Sequence, residues 1–188
     1  MGDLGGVIGD DPVLELSFSS RYGQGATELW EATLKRLDYE DDDYDDEGTE
    51  TVLATAQLAR VDLSGHWLDS LDAESGSLEA VGGAFFNRGR IAAIDEESTF
   101  ATSLVIVDYI EVVEEYRGFR ISHDFIRGIA RIFRDDLIAL TPARMAGGDS
   151  DELVEDVLQF EGLLRHWERI GFVQVPETDV MLLPRGKR

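Results

Sequence analysis

The spacing of apolar residues changes several times along this chain, and each change predicts an element. Apolar and polar residues alternate through VLELSFS, 13–19, as on a half-buried strand. In ATELWEATLKRL, 26–37, Leu29, Trp30, Leu34 and Leu37 fall at helical spacing, so a helix is expected. TVLATAQLARVDLS, 51–64, sets Val52, Ala54, Ala56 and Leu58 on one face, then slips one residue to Ala59, Val61 and Leu63, which suggests a long strand with a bulge. The stretch 66–100 is harder to read. Leu68 and Leu71 fit a short helix, LEAVGGAFF fits a helix or a strand, and RIAAI fits a strand.

From residue 101 the pattern sharpens. ATSLVIVDYIEVV, 101–113, begins with a continuous apolar run, as a central strand buried on both faces does. Ile121, Phe125, Ile129 and Phe133 then recur every four residues, so the strand hands over to a helix. DLIAL is a short strand stopped by Pro142. A helix is expected over 151–170 with Leu153, Val157, Leu164 and Trp167 on its stripe, and Gly171 ends it. FVQV and DVMLLP form a strand pair around Pro176–Thr178, and PRGKR, 184–188, reads as a flexible tail. No internal repeat is evident. The order of elements predicts an α/β (α+β) chain with one twisted mixed β-sheet flanked by helices.

Composition narrows the picture. A chain of 188 residues suits one domain and can bury roughly two-thirds of its unfolded surface. The longest apolar stretches fall far short of the roughly 18 residues of a membrane span. MGDLGGVIGDD lacks the basic region and apolar core of a secretory signal, so a cytoplasmic location with no membrane association is expected. The chain has no cysteine, which removes disulfides, thiolate nucleophiles and thiol metal ligands. Its histidine spacing suggests no metal site.

Charge is the most unusual property. Asp and Glu number 39 against 17 Lys and Arg, a net charge of -22, and Lys35 and Lys187 are the two lysines. Such a surface repels nucleic acid backbones, so no nucleic acid partner is expected. It steers cations inward, which favours a cationic small-molecule amine or basic peptide as partner, alongside the plainer role of solubility. Residues 38–47, DYEDDDYDDE, are too acidic for a packed element and read as a surface loop. As a calcium loop they fail, because a frame starting at Asp41 puts Asp46 where the turn glycine belongs and Val52 where the bidentate glutamate belongs.

Against this background Arg117, Gly118 and Arg120 stand together between a strand and a helix. A tight turn opening a helix is an anion site, because free N–H groups and the helix dipole both favour negative charge. Arginine adds bidentate phosphate contacts. The plain alternative is that the two arginines offset Glu114, Glu115 and Asp124.

The motif VVEEYRGFRIS, followed about 50 residues later by HWERIGF with a helix, a strand and a second helix between them, resembles the GNAT family of N-acetyltransferases. In that family the fourth strand ends in a pattern close to VxPxYRGxGxG, whose last six residues wrap the coenzyme A pyrophosphate, and the later helix ends FYEKLGF. The likeness spans about 101–184, with 13–100 placed as the opening strands and helices of a GNAT-like fold. It implies acetyl-CoA as cofactor. It implies that backbone around Ile110, Val112 and Val113 pairs with the acetyl and pantetheine groups as if they were an added strand. Arg117, Gly118, Phe119, Arg120, Ile121 and Ser122 would hold the pyrophosphate, and Trp167 would stand at the cofactor where the family has a tyrosine acid. Direct transfer is implied, with a carboxylate or water chain as base and a proton donor for the departing thiolate.

Departures from the family pattern bear on turnover more than on cofactor binding. Arg120 replaces a glycine, Ser122 is a milder change, and the indole of Trp167 does not ionise usefully. His166 is the neighbouring acid candidate, although one helical step turns a side chain by about 100°. Asp108 and Glu111 are the base candidates: strand parity puts Asp108 with Ile110 and Val112 and Glu111 on the other face, but such strands commonly bulge, so either could line the acceptor cleft. Two readings follow, an acyl-CoA-dependent N-acyltransferase acting on an amine, and a GNAT-fold module that binds coenzyme A or a protein partner with little catalysis. An acidic DNA mimic is the third, and a homodimer is left open.

Overall fold

In the computed structural model, which describes residues 12–19, 27–38, 49–142 and 153–187, the strands form one mixed sheet of seven in the order β1-β2-β3-β4-β5-β7-β6. These are β1 (Pro12–Ser19), β2 (Thr27–Asp38), β3 (Thr49–Asp62), β4 (Ser103–Val112), β5 (Leu137–Leu140), β6 (Val173–Gln174) and β7 (Met181–Leu183). All neighbours run antiparallel except β4 and β5. That parallel step requires a crossover, and α4 (Ile121–Ile132) supplies it.

Helices cover both faces. On one face α4 and the last turns of α5 (Leu153–Glu168) pack on β2 to β5 and β7, burying Phe125, Ile126, Ile129, Trp167 and Phe172 with Ala56, Leu58, Val105 and Val107. On the other face lie α1 (Trp67–Glu74), α2 (Gly76–Gly83) and α3 (Arg88–Ala92), whose Trp67, Leu71, Val81 and Ile91 cover Ala59, Val61, Leu104 and Ile106. LEAVGGAFF thus begins as helix. There α2 approaches α1 so closely that a Cβ on Gly82 would lie 2.5 Å from Leu71 and 3.0 Å from Trp67. Among the described residues no helix is long and apolar enough to cross a membrane.

Several expectations are corrected. Residues 27–38 are a strand, not a helix: paired to β3 along its whole length and to β1 from Leu29 to Arg36, the segment buries Ala32 and Leu34 on one face in steps of two. RIAAI is not a strand. Arg88–Ala92 are helical, started by the Asn87 side chain accepting from the Gly89 amide. The long bulged strand expected over 51–64 is present: the register shifts at Leu53, between Ala54↔Leu34 and Val52↔Lys35, and again between Gln57 and Leu58, where the extra residue belongs to β4. The change of face from Leu58 to Ala59 is itself where α1 to α3 begin to cover the second face, since both residues are buried on opposite faces. Pro184 to Gly186 are no loose tail either, since the Arg185 amide donates to Asp95 at 3.1 Å and its guanidinium reaches Asp135 at 3.4 Å. Of the acidic segment, Asp38 closes β2, and 39–47 lie outside the described residues, as do 151–152 of the helix expected over 151–170.

One polar cluster fixes where β5 begins. Arg60 on β3 donates from Nε to Asp136 at 2.8 Å, from Nη1 to Glu28 at 3.1 Å and from Nη2 to Ser103 at 3.1 Å. Hydrogen bonds to Asp136, then Glu28, hold this guanidinium in its charged form against the cost of burial. The three partners sit on β2, at the head of β4 and beside β5, so the parallel pair is anchored at one end.

Candidate functional site

At the other end the parallel pair comes apart. Pairing of β4 with β5 runs from Leu104↔Leu137 to Val107↔Leu140, whereas pairing with β3 continues to Val112. Asp108 to Val112 therefore extend past the end of β5, and on that edge no described strand adds to them. An extended chain with amides of its own could complete the ladder there.

A bulge sits where the two strands part. Val107 pairs with Leu58 and Tyr109 with Gln57, leaving Asp108 as the extra residue. The shift breaks simple parity: Ile110 and Val112 join Val107, an odd number of residues away, on the face packed by α4. Asp108 and Glu111 are both exposed. Glu111 accepts a hydrogen bond from the Tyr109 hydroxyl at 2.8 Å, and this contact raises the Tyr109 pKa.

Beyond β4 the chain folds into the turn that opens α4. The Val113 amide donates to Leu53, and a single turn, Glu114–Tyr116, follows. Arg117 turns back so that its Nε donates to the Val112 carbonyl at 3.1 Å, tying the turn to the end of the strand. Phe119 and Tyr116 pack against the core, while Arg117, Gly118 and Arg120 stay exposed. Gly118 adopts φ +89° with nothing within 4 Å of where a Cβ would point, so the space above the turn is open. Arg120 caps α4 with φ +62°. A side chain in that left-handed conformation costs roughly 1–2 kcal/mol, so the backbone keeps the shape a glycine would take. From Arg120 the chain enters a helix of 12 residues, whose first amides at Ile121 and Ser122 follow the turn directly.

The end of α5 meets this turn. Ser122 Oγ and His166 Nε2 are 2.9 Å apart, and the rings of His166 and His123 lie with centroids 4.1 Å apart. Trp167 is turned away into the core, 5% exposed, with its ring edge-on to His166 and to Phe172. Burial lowers the pKa of His166, and nearby Arg169 lowers it further. His123 is 5% exposed, and its Nε2 has no hydrogen-bond partner among the described residues. Burial first, then the charges of His166 and Arg127, lower its pKa from 6.5 to about 4.

This has a consequence for stability. The unfolded chain takes up a proton on His123 near pH 6.5, but the folded chain does so only near pH 4. Stability from this residue is complete above pH 6.5 and is lost as the pH falls to 4, by about 2–3 kcal/mol after allowance for solvent screening. Urea denaturation at pH 7 and pH 4.5 checks it. The wild type should lose more stability than His123→Leu across that interval, and equal losses would show that the imidazole is not buried neutral. The many carboxylates titrate in both proteins and cancel in the comparison.

The turn residues Arg117 to Ser122, the strand residues Ile110, Val112 and Val113, the carboxylates Asp108 and Glu111, and His166 all come to the region where β4 outruns β5 and α4 begins. Trp167 reaches it through its ring contacts with His166 and His123, at centroid separations of 4.7 and 6.4 Å. Sequence reasoning gave His123 no role, although 123, 126 and 130 form a buried i, i+3, i+7 stripe beside the stronger one through Phe125. Tyr109 was also missed, and its i, i+2 spacing to Glu111 was the available signal. Among the described residues no group of three or more His, Asp or Glu side chains is placed to hold a metal ion. Comparison with protein-family models finds no match to the chain, and neither the curated proteins nor the solved structures contain a significant relative.

Proposed function

We propose that this protein is an acyl-CoA-dependent N-acyltransferase of the GNAT type, moving an acetyl group from acetyl-CoA to a primary amine of a cationic small molecule or basic peptide. One observation carries the reading: a bulged strand that outruns its parallel neighbour at Val107 ends in an open turn at a helix N-terminus. The free strand edge suits a pantetheine arm, whose amides can pair with Asp108–Val112 as an added strand does. Backbone amides at Gly118–Ser122, with Arg120 and the anchored Arg117 beside them, suit a pyrophosphate. The open space over Gly118 admits such a group.

When bound, acetyl-CoA supplies the activated acyl carbon. The chain orients the thioester along the β4 edge, and amides at the bulge stabilise charge developing on its carbonyl oxygen. Glu111 or Asp108 accepts the proton of the attacking amine, directly or through water. The amine nitrogen bonds to the acyl carbon, the carbon–sulfur bond breaks, and the sulfur leaves with a proton. His166 is a weak donor for that last proton, because its pKa is lowered and its Nε2 is engaged with Ser122.

Trp167 favours a second reading, a coenzyme A-binding module with little turnover. At the position the resemblance gives to a tyrosine acid, the indole is buried against Phe172. Thermal denaturation with acetyl-CoA tests what the two readings share. At 100 times its dissociation constant the ligand adds about 2.7 kcal/mol, or a rise of about 5–10 °C in Tm. Arg117→Ala should reduce that rise. No shift at millimolar acetyl-CoA would remove both readings, and a shift without release of free coenzyme A would leave the module.

A further inference from the structure

We infer that Ser122 and His166 are positioning residues for the anion-binding turn, holding it in shape only while the paired imidazoles of His123 and His166 are uncharged. The inference rests on the reading of 117–122 as a coenzyme A phosphate site and adds to it how that site is regulated.

Geometry supplies the coupling. Ser122 is the second residue of α4, next but one to the strained Arg120 cap, and its hydroxyl hydrogen-bonds His166 near the end of α5. The centroids of the His123 and His166 rings are 4.1 Å apart across the same junction. Because His123 takes up its proton only near pH 4, the charge that forms at this junction above that pH is the one on His166, and burial drives it toward water whichever tautomer the neutral ring holds. The other charged groups acting on the pair are Arg169 on His166, and Arg127 and Asp124 on His123. At His123 a hydrogen bond with the His166 backbone and then Asp124 favour a charge, and both arginines disfavour one on the pair. Burial without a partner at His123 Nε2 acts in the same direction, since a proton there gains nothing to donate to.

Protonation therefore pushes the end of α5 from the first turn of α4. That turn carries the Ile121 and Ser122 amides and ends the Arg117–Arg120 loop. An anion site made of backbone amides binds only while they converge, so the loop loses affinity as the helices part.

The test is nuclear magnetic resonance of the ligand-free protein titrated from pH 8 to pH 5, with acetyl-CoA affinity measured over the same interval. Amide signals of Gly118–Ser122 should move with the midpoint of the His166 imidazole. In Ser122→Ala the imidazole should still titrate while the amides no longer follow it. Acetyl-CoA affinity should fall about fivefold more between pH 7.5 and pH 5 in the wild type than in His166→Gln, which keeps a partner for Ser122 and cannot titrate. Titration of the ligand's own phosphate is common to both and cancels. Turn amides that stay still while His166 titrates would overturn the inference, and so would a His166 that remains neutral to pH 5. If acetyl-CoA binds at no pH, the coenzyme A reading fails, and the amide signals of the free protein still decide whether the junction is coupled.

Discussion

Replacing Phe125 with alanine lowers the stability of the folded chain by about 3–5 kcal/mol. The side chain is fully buried on α4, in the cluster that includes Val105 and Val107 of β4, Ile138 of β5 and Trp167 of α5. Removing the ring costs its transfer free energy and leaves a cavity that these neighbours fill only in part. Domains of this kind have about 5–15 kcal/mol in total, so the variant loses a large share of its margin. In thermal denaturation the midpoint should drop by about 6–20 °C. Phe100→Ala is the matched control. Its ring is 75% exposed, so the change should stay within about 0.5 kcal/mol. A loss below 1 kcal/mol for Phe125→Ala would mean that α4 does not sit on the sheet as described, and the turn at its N-terminus would lose its support.

The same helix shows why the second half of the chain was legible. Ile121, Phe125, Ile129 and Phe133 repeat at a single period because α4 buries one stripe, and LVIV lacks any period because β4 is covered on both faces at that point. Such patterns reflect burial directly. Residues 27–38 misled for a physical reason: Leu, Glu, Ala, Lys and Arg are good helix formers, and Leu29, Trp30, Leu34 and Leu37 fit a helical stripe by accident. Pairing with strands on both sides overrode that weak preference. Sheet position, which no local pattern encodes, decided the outcome.

At the site the split is similar. Arg117–Gly118 was readable because a turn after a strand needs a glycine with positive φ, and Gly118 has φ +89°. The conformation of Arg120 was not, since its side chain is one that the left-handed region disfavours. Contacts between residues 44 apart, such as Ser122 with His166, leave no trace in a single sequence. The bulge at Asp108 was equally hidden, because it depends on how β3 and β4 align. That alignment settled the faces of Ile110 and Val112, and with them the parity on which Asp108 and Glu111 were compared.

Glu111→Gln is expected to lower the rate of amine acetylation by about 10²–10⁴, with acetyl-CoA affinity nearly unchanged. Glu111 is the better candidate because the Tyr109 hydroxyl holds one of its oxygens at 2.8 Å, fixing the carboxylate and leaving the second oxygen for the amine proton. Asp108, at the bulge, has no hydrogen bond recorded to its carboxylate among the described residues, so holding a cationic acceptor suits it more than taking a proton. Asp108→Asn should then raise KM for the amine by about tenfold, the effect of losing roughly 1.4 kcal/mol of charge attraction, with kcat kept. Tyr109→Phe removes the orienting bond and should fall between wild type and Glu111→Gln in kcat. Release of free coenzyme A against polyamines, aminoglycosides and basic peptides measures all three variants. The reverse pattern, a collapsed kcat in Asp108→Asn and an intact one in Glu111→Gln, would exchange the two roles. Wild-type rates in both would mean that neither carboxylate is the base and that proton removal runs through water.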